Sequence, residues 1–237
     1  SLRSLKTDHV DLYQFHLMDL NVPLEESMQA ADLMVRQGKV RYFGVSKWAP
    51  AWLTEAQLLS RQHGWVGLIS DQPPYNLLDR SIENELIWTC QRHGLGIIPW
   101  APLGSNILTG RYSLDADGNI VDSVQRRGVP NFRLTKRAVE VALALQKLAE
   151  AKGCTLPEFA MAWIVRQPGI TAPIIGPSKL EHLQAAIKAV DIHLTQEEYE
   201  KIDKLVPPGT AVSNYYDMNA FRPLRLAAGV DHSPSLW

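Results

Sequence analysis

Four places in the 237-residue sequence end an apolar run on polar side chains that could take part in chemistry. The first is His16, which follows the run DLYQF at 11–15. An imidazole at this position could polarise a carbonyl group or transfer a proton. A histidine held by structural hydrogen bonds is the more common finding when such a residue is taken alone. His16 is therefore a candidate catalytic group that needs partners.

The second and third runs end on residues suited to holding a flat, polar ligand. Ser46 and Lys47 follow the second run, and Gln72 and Tyr75 lie in the sequence DQPPYN that ends the third. The Gln72 amide could hydrogen-bond a ligand amide, and the Tyr75 ring could stack on a planar group. Each of these residues, taken singly, is more often part of a polar rim than a ligand-binding group.

The last run ends on a glycine, a serine and a lysine. In IIGPSKLEHL, at 174–183, Gly176, Ser178 and Lys179 precede a predicted helix. Backbone N–H groups at a helix N-terminus attract anions, so this segment could hold a phosphate. A capped helix start would account for the same letters equally well.

All four positions follow short β-rich runs that alternate with helical patterns, which predicts an α/β fold with a parallel sheet and outer helices. The strands are predicted at 10–16, 39–46, 66–72, 95–101 and 171–176. The helices are predicted at 24–37, 50–62, 80–93, 135–152 with a continuation at 156–166, 179–188 and 194–206. Parallel strands bring their C-terminal ends to one rim, where the polar residues should meet. Strand alternation places Gln14 and His16 inward and Tyr13 and Phe15 under the helices.

Two stretches interrupt this pattern. Residues 103–134 form a long irregular segment with the turn sequence DADGN, which is either a functional loop or a spacer. Beyond Pro207 the sequence is aperiodic and aromatic. Thr195 and Glu198 have the spacing of a capping box and predict the start of the last helix.

Composition narrows the class of protein. The chain is 46% hydrophobic and 21% charged with a net charge of -1, which is typical of a globular protein and provides no field for nucleic acid or an anionic membrane. The cysteines Cys90 and Cys154 are too few for a disulfide framework or a zinc site and favour a cytoplasmic location. The sequence lacks metal-ligand spacing such as HExxH, a G-x-S-x-G elbow and a Walker loop, so we expect no metal site.

Five segments, in the same order and with similar spacing, resemble the aldo-keto reductase family. They are SLRSLKTDHVDLYQFH, VRQGKVRYFGVSKW, DQPPYNLLDR, GIIPWAPLGSNILTGRY and TAPIIGPSKLEHL. Members of that family are (β/α)8 barrels that reduce aldehydes and ketones with NADPH and sometimes NADH. The resemblance covers residues 1–206 and implies that the five strands are the fourth to eighth of an incomplete TIM-type barrel, with 207–237 as a C-terminal tail.

The resemblance also implies roles for individual residues. His16 corresponds to the tetrad histidine that positions the substrate carbonyl, and Ser46, Gln72 and Tyr75 correspond to positions that hold the nicotinamide, the tyrosine by stacking. The pyrophosphate segment and the adenosine 2′-phosphate site correspond to these residues: Trp100, Ala101, Pro102, Leu103, Gly176, Ser178, Lys179 and His182. NADP is the cofactor so implied.

Three positions depart from the family pattern and are expected to weaken nucleotide binding. Lys47 stands where an asparagine usually holds the carboxamide, and Asn106 stands where a glycine is common. Ala186 cannot hydrogen-bond adenine through its side chain.

The family's catalytic aspartate, tyrosine and lysine lie on the first three βα units, which this sequence does not contain. Three hypotheses follow. The chain is an incomplete-barrel homologue unable to reduce carbonyls unaided, an active oxidoreductase whose first units come from another chain or were lost, or a nucleotide-binding or scaffolding module.

Open barrel edges predict a homo-oligomer. The tail residues Tyr215, Tyr216, Phe221 and Trp237 are expected to contribute to its contacts. A small carbonyl compound is the other expected partner, with no nucleic acid and no membrane.

Overall fold

A computed structural model describes residues 1–19, 21–124 and 133–215. Its strands are β1 (Val10–Phe15), β2 (Val40–Val45), β3 (Leu68–Asp71), β4 (Gly96–Ile97), β5 (Tyr112–Leu114) and β6 (Ile120–Asp122). Its α-helices are α1 (Leu2–Leu5), α2 (Leu24–Arg36), α3 (Pro50–His63), α4 (Leu86–His93), α5 (Lys136–Ala151), α6 (Leu156–Ile164), α7 (Leu180–Lys188) and α8 (Gln196–Leu205). Short 3₁₀ helices cover Ser81–Glu83, Gly104–Thr109 and Ala189–Asp191. No helix in this part of the chain combines the length and apolar character needed to cross a membrane.

The main sheet is parallel, as predicted, and has the strand order β1-β2-β3-β4. Five strands were expected, but the segment 171–176 is an extended chain rather than a strand. Ile170 forms a single parallel bridge with Ile97, and farther along Ile174 N–H donates to the Pro99 carbonyl at 2.8 Å. Pro173 and Pro99 lack the amide N–H that a regular ladder requires. Because Pro99 has no amide N–H, the predicted strand 95–101 is shortened to the two residues of β4.

The two faces of this sheet differ in polarity. Phe43, Val45 and Ile97 are fully buried on the face covered by helices. Tyr13 and Phe15 join that face, with ring centroids 5.6 and 5.3 Å from the Phe43 ring. The predicted alternation of β1 is confirmed for these two side chains, and Phe15 packs against the core, but Tyr13 remains 40% exposed rather than lying under helices.

On the opposite face of the sheet a hydrogen-bonded polar group surrounds Gly44. A Cβ atom at Gly44 would lie 2.2 Å from Ser70 Oγ and 3.2 Å from Gln14 Cγ, so only glycine fits there. On the same face Leu12 and Tyr42 are 36% and 53% exposed. This face is therefore polar toward the C-terminal ends of the strands and apolar but uncovered toward their start.

Helix boundaries follow the signals in the sequence. Thr195 begins α8 with the predicted capping box, and Thr155 begins α6 with a second one. Gly64 and Gly94 end α3 and α4 with φ of 66° and 71°, a left-handed conformation that side chains disfavour. The predicted helix 80–93 is divided into a 3₁₀ turn and α4.

The irregular segment contains structure of its own. After the 3₁₀ turn Gly104–Thr109, β5 and β6 form an antiparallel hairpin, and the predicted turn between them is held by Asp115, whose carboxylate accepts from Asn119 N–H at 2.7 Å. Arg111 pairs with Asp122 across the hairpin. Residues 125–132, which include Arg126 and Arg127, lie outside the described residues.

After α8 the chain returns across the C-terminal ends of the strands as residues 207–215, which we call the C-terminal strap. Arg80 N–H donates to the Thr210 carbonyl at 2.8 Å, and Val212 N–H donates to the Leu78 carbonyl at 2.9 Å. The strap therefore packs along the loop that follows β3. The tail residues Tyr216, Phe221 and Trp237 lie outside the described residues.

Candidate cofactor-binding site

His16, Ser46 and Gln72 each follow the last residue of a parallel strand, and so they lie at one rim of the sheet. Ser46 Oγ donates to the Gln72 carbonyl at 2.7 Å, and Gln72 N–H donates to the Val45 carbonyl at 2.9 Å, which joins the ends of β2 and β3. His16 is exposed and has no hydrogen-bond partner among the described residues. Its imidazole is thus open to a ligand at this rim.

The Gln72 side-chain amide is hydrogen-bonded to Gln14, on the face of the sheet opposite the helix-covered face. Its Nε2 donates to Gln14 Oε1 at 2.7 Å, and Gln14 Nε2 donates in turn to the Val45 carbonyl at 3.3 Å. A ligand amide at this rim would compete with Gln14 for the Gln72 side chain.

Lys47 has a backbone conformation unusual for a lysine. Its φ of 60° lies in the left-handed region, which costs free energy for any residue with a Cβ atom. This turn directs the N–H groups of Lys47 and Trp48 toward Asp71. The departure from asparagine at this position therefore affects a backbone turn as well as a side chain.

Asp71 is a carboxylate buried on the helix-covered face of the sheet, in register with Val45 and Ile97. Burial raises the pKa of Asp71 to about 8, against a smaller lowering by the backbone N–H groups of Gln72, Trp48 and Lys47. The same burial, with the nearby Asp71 carboxylate, raises the pKa of the Cys90 thiol to about 12. Both groups are fully buried, and the Asp71 carboxyl lies beneath the backbone turn at Lys47 and Trp48.

Tyr75 has no ring face available for the stacking that the resemblance implies. It is fully buried, its hydroxyl donates to Glu83 Oε1 at 2.6 Å, and its ring lies 5.1 Å from that of Trp163. Glu83 also accepts from Arg80, which pairs with Asp203 at 2.6 Å. Tyr75 thus belongs to an ion-pair cluster that joins the loop after β3 to α8.

A cavity of about 640 Å³ opens beside the rim, between the segment that follows β4 and the segment that leads into α7. Its walls come from residues 100–109, from the start of α6 at 155–161, and from residues 174–186. Of the predicted cofactor residues, these line it: Trp100, Ala101, Pro102, Leu103, Gly176, Ser178 and His182. The structure does not bring Ser46, Lys47, Gln72, Tyr75 or Lys179 to its walls.

The cavity combines apolar walls with a few polar groups, as small-molecule sites do. Ser178 Oγ lies 3.4 Å from His182 Nδ1 at the start of α7. The loop turns sharply at Gly104, whose φ is 55° and whose N–H donates to the Ala101 carbonyl at 2.9 Å. The site could therefore bind a planar, phosphorylated compound.

Ala186 also lines the cavity, and Asn106 lies in the loop with a φ of 73°. Asparagine tolerates this conformation better than most residues, which accounts for its presence where glycine is common. The methyl group of Ala186 offers the cavity no hydrogen bond.

Trp100 lines the cavity with its aromatic ring, and Arg133 and Tyr215 lie beside it. The Arg133 guanidinium lies 5.8 Å from the Trp100 ring and 4.8 Å from the Tyr215 ring, and the two rings are 6.3 Å apart. The aromatic character of the tail was a signal for Tyr215, but no pattern identified Arg133.

Metal binding has no support in the part of the chain that the structure describes, where no group of three or more His, Cys, Asp or Glu side chains could hold an ion. Cys90 and Cys154 are free thiols.

Comparison with known proteins gives one family and many relatives. The model of the aldo/keto reductase family matches residues 1–207. An uncharacterized oxidoreductase of Bacillus subtilis, YrpG, is 34% identical over 91% of this chain and 64% of its own length. A probable voltage-gated potassium channel subunit beta of rice is 33% identical over 87% of this chain and 64% of its own length. The L-glyceraldehyde 3-phosphate reductase of Escherichia coli O157:H7 is 29% identical over 88% of this chain and 62% of its own length. The chain therefore spans slightly less than two thirds of these relatives.

Proposed function

The chain belongs to the aldo/keto reductase family, and from that premise we propose that its 237 residues form the cofactor-binding part of an NAD(P)H-dependent carbonyl reductase. The cavity beside Trp100 is the observation that supports this most directly. It adjoins the rim where His16 is exposed, and it joins an aromatic ring to groups suited to phosphate. When bound there, the cofactor would supply the hydride.

In this proposal each wall of the cavity has a separate task. The Trp100 ring packs against the nicotinamide, and the loop 101–106 receives the pyrophosphate on its backbone N–H groups. Ser178, with the exposed Lys179 beside it, receives the 2′-phosphate, which favours NADPH over NADH. Ala186 leaves the adenine without one side-chain hydrogen bond, worth about 0.5–1.5 kcal/mol.

His16 would donate a hydrogen bond to the substrate carbonyl. Hydride transfer places negative charge on that oxygen, and a positioned acid typically contributes a factor of about 10²–10⁴ to the rate. The described residues place no acidic hydrogen-bond partner on His16. We therefore expect these 237 residues to bind cofactor but not to reduce aldehydes unaided, and to become active if another polypeptide supplies the missing acid.

A nucleotide-binding or scaffolding role is the second candidate. Relatives named as potassium channel beta subunits support it, because their names describe a subunit rather than a reaction. In that case the cofactor would bind without any need for turnover.

A fluorescence titration of the purified 237-residue chain with NADPH and NADH tests the binding proposal. We expect saturable binding with a lower Kd for NADPH. Ser178→Asp should raise the NADPH Kd roughly 10-fold or more, because like charges repel, and should change the NADH Kd much less. Trp88→Phe, at an exposed tryptophan outside the cavity, is the matched control and should bind as the unaltered chain does.

A steady-state assay of NADPH absorbance with a reactive aldehyde tests catalysis. No turnover, together with saturable NADPH binding, supports the cofactor-binding part without unaided activity. Turnover that is abolished by His16→Ala would contradict the expected lack of activity while supporting the carbonyl reductase. A chain that binds neither nucleotide would contradict the proposed function altogether.

A further inference from the structure

The C-terminal strap is fixed to the loop after β3 along its whole length. Asn84 Nδ2 donates to the Gly209 carbonyl at 2.7 Å, and Ser213 N–H donates to the Leu78 carbonyl at 3.1 Å. At the end of the strap, Tyr215 N–H donates to Asp79 Oδ2. Asp79 is itself fully buried and accepts from Ser81 through its other oxygen. The position of Tyr215 is therefore determined by the body of the fold.

Tyr215 in turn contacts the Trp100 ring and the loop at Gly104, which both belong to the cavity wall. Its ring is fully buried, lies edge-on to the Trp100 ring at 6.3 Å, and stacks with the Arg133 guanidinium at 4.8 Å. Its hydroxyl lies 3.3 Å from the place where a Cβ atom of Gly104 would be. One side chain thus contacts the Trp100 ring, the Arg133 guanidinium and the loop at Gly104.

A second connection joins the strap to Arg133. Ser213 Oγ donates to the Arg133 carbonyl at 2.6 Å, so the backbone of Arg133 is held by the strap as well as its guanidinium. Arg133 lies two residues before Thr135, the N-cap of α5, at the end of the long irregular segment. The strap therefore supports the cavity wall from outside, although none of its residues lines the cavity.

We propose that Tyr215 is a positioning residue of the cofactor site, which holds Trp100, Arg133 and the loop 101–106 in place and thereby slows cofactor release. This inference rests on the proposed function. The ring carries the effect because it makes the contacts with Trp100 and Arg133, whereas the hydroxyl lies close to Ser105 and Ser213 but closes no hydrogen bond of good geometry. Removal of the ring should loosen the wall, whereas removal of the hydroxyl alone should not.

The first test is the rate of NADPH release, measured by stopped-flow fluorescence. Tyr215→Leu should release NADPH roughly 3- to 30-fold faster, as expected for the loss of one aromatic and one cation–π contact. Tyr215→Phe should stay within about 2-fold of the unaltered chain. Tyr199→Leu, at a partly buried tyrosine on α8, is the control for general destabilisation and should leave the release rate unchanged.

The second test needs no cofactor. Hydrogen exchange followed by mass spectrometry should show faster exchange in residues 100–106 of Tyr215→Leu than in Tyr215→Phe or Tyr199→Leu. Equal exchange in all three variants would overturn the proposal, as would an unchanged release rate in Tyr215→Leu. Failure of the unaltered chain to bind NADPH would instead refute the proposed function, and the exchange result would still decide whether Tyr215 orders this loop.

Discussion

At the scale of single residues, Asp71 shows how the sheet tolerates a carboxylate on its helix-covered face. The side chain is fully buried, and burial raises its pKa from 3.8 to about 8. At neutral pH the folded protein therefore retains a proton on Asp71 that the unfolded chain releases. This difference makes Asp71 a source of pH-dependent stability.

We predict that Asp71→Asn removes a loss of stability that occurs as the pH rises. Below pH 4 both states hold the proton; between about pH 4 and pH 8 only the unfolded chain loses it, so the free energy of unfolding falls with pH. The slope is at most about 1.4 kcal/mol per pH unit. Urea denaturation of both proteins from pH 5 to pH 9 measures it. Parallel stability curves for the two proteins would show that Asp71 does not titrate in this range.

Tyr75 and Trp100 show a residue-scale feature that the sequence could not predict, namely which of the two aromatic rings faces the cavity. Both aromatic residues follow a strand of the same sheet, and their own backbones pair, with Tyr75 N–H donating to the Trp100 carbonyl at 3.3 Å. The rings nevertheless point to different environments, since Tyr75 is bound to Glu83 and Trp100 lines the cavity. Glu83 and Trp163 contact Tyr75 only in the folded chain. Spacing along the sequence therefore could not show that the Tyr75 ring is buried while the Trp100 ring lines the cavity.

At the scale of secondary-structure elements, two capping boxes also connect neighbouring helices. Glu158 closes the box of Thr155 and pairs with Lys188 of α7 at 3.0 Å. Glu198 closes the box of Thr195 and pairs with Lys152 at the end of α5 at 2.9 Å. The backbone N–H of Thr155, with Lys188, holds the pKa of Glu158 below its ordinary value. Each carboxylate thus stabilises a helix start and an interhelix contact.

Thr155→Ala and Thr195→Ala form a matched pair for separating stability from binding. Each should lower the free energy of unfolding by about 1 kcal/mol, the usual effect of losing an N-cap side chain. Thr155 also lines the cavity, so only Thr155→Ala should raise the NADPH Kd. Denaturant titrations and NADPH titrations of both variants provide the measurement. An equal change of Kd in both would indicate that binding responds to stability alone.

Helices were predicted more fully than strands because their signals are local. The capping spacing at Thr195 and the glycines after α3 and α4 lie within a few residues of the ends they determine. The segment 171–176 has the apolar character of a strand, but Pro173 removes a ladder hydrogen bond and only one bridge forms. The β5–β6 hairpin was missed because its strands have three residues each, and only its turn sequence was noticed.

At the scale of the whole molecule, apolar side chains remain exposed at both edges of the parallel sheet. Beyond the last extended segment, α7 presents Leu180 and Ile187 and the following 3₁₀ helix presents Val190, each more than half exposed, and at the opposite edge β1 presents Leu12 and Tyr13. None of the residues of α7 is buried. Exposed apolar surface of this kind favours association.

We expect the 237-residue chain to self-associate through these edges. The double variant Leu180→Lys, Ile187→Lys should have a molecular mass by light scattering closer to that of the monomer, because charged groups at an edge oppose association. Leu33→Lys, at an exposed leucine on α2, is the matched control and should leave the mass unchanged. A monodisperse unaltered monomer at micromolar concentration would contradict the expectation.

The cavity walls are continuous in sequence, which matters for building chimeras with related proteins. All of them come from residues 100–186, one continuous stretch that excludes β1, β2 and β3. A single recombination block could therefore carry the proposed nucleotide site into a related barrel without altering β1 or His16, which follows it. Tyr215 and the C-terminal strap lie outside that block. A chimera that contains only residues 100–186 would therefore have the cavity but lack the Tyr215 contacts that hold its wall in place.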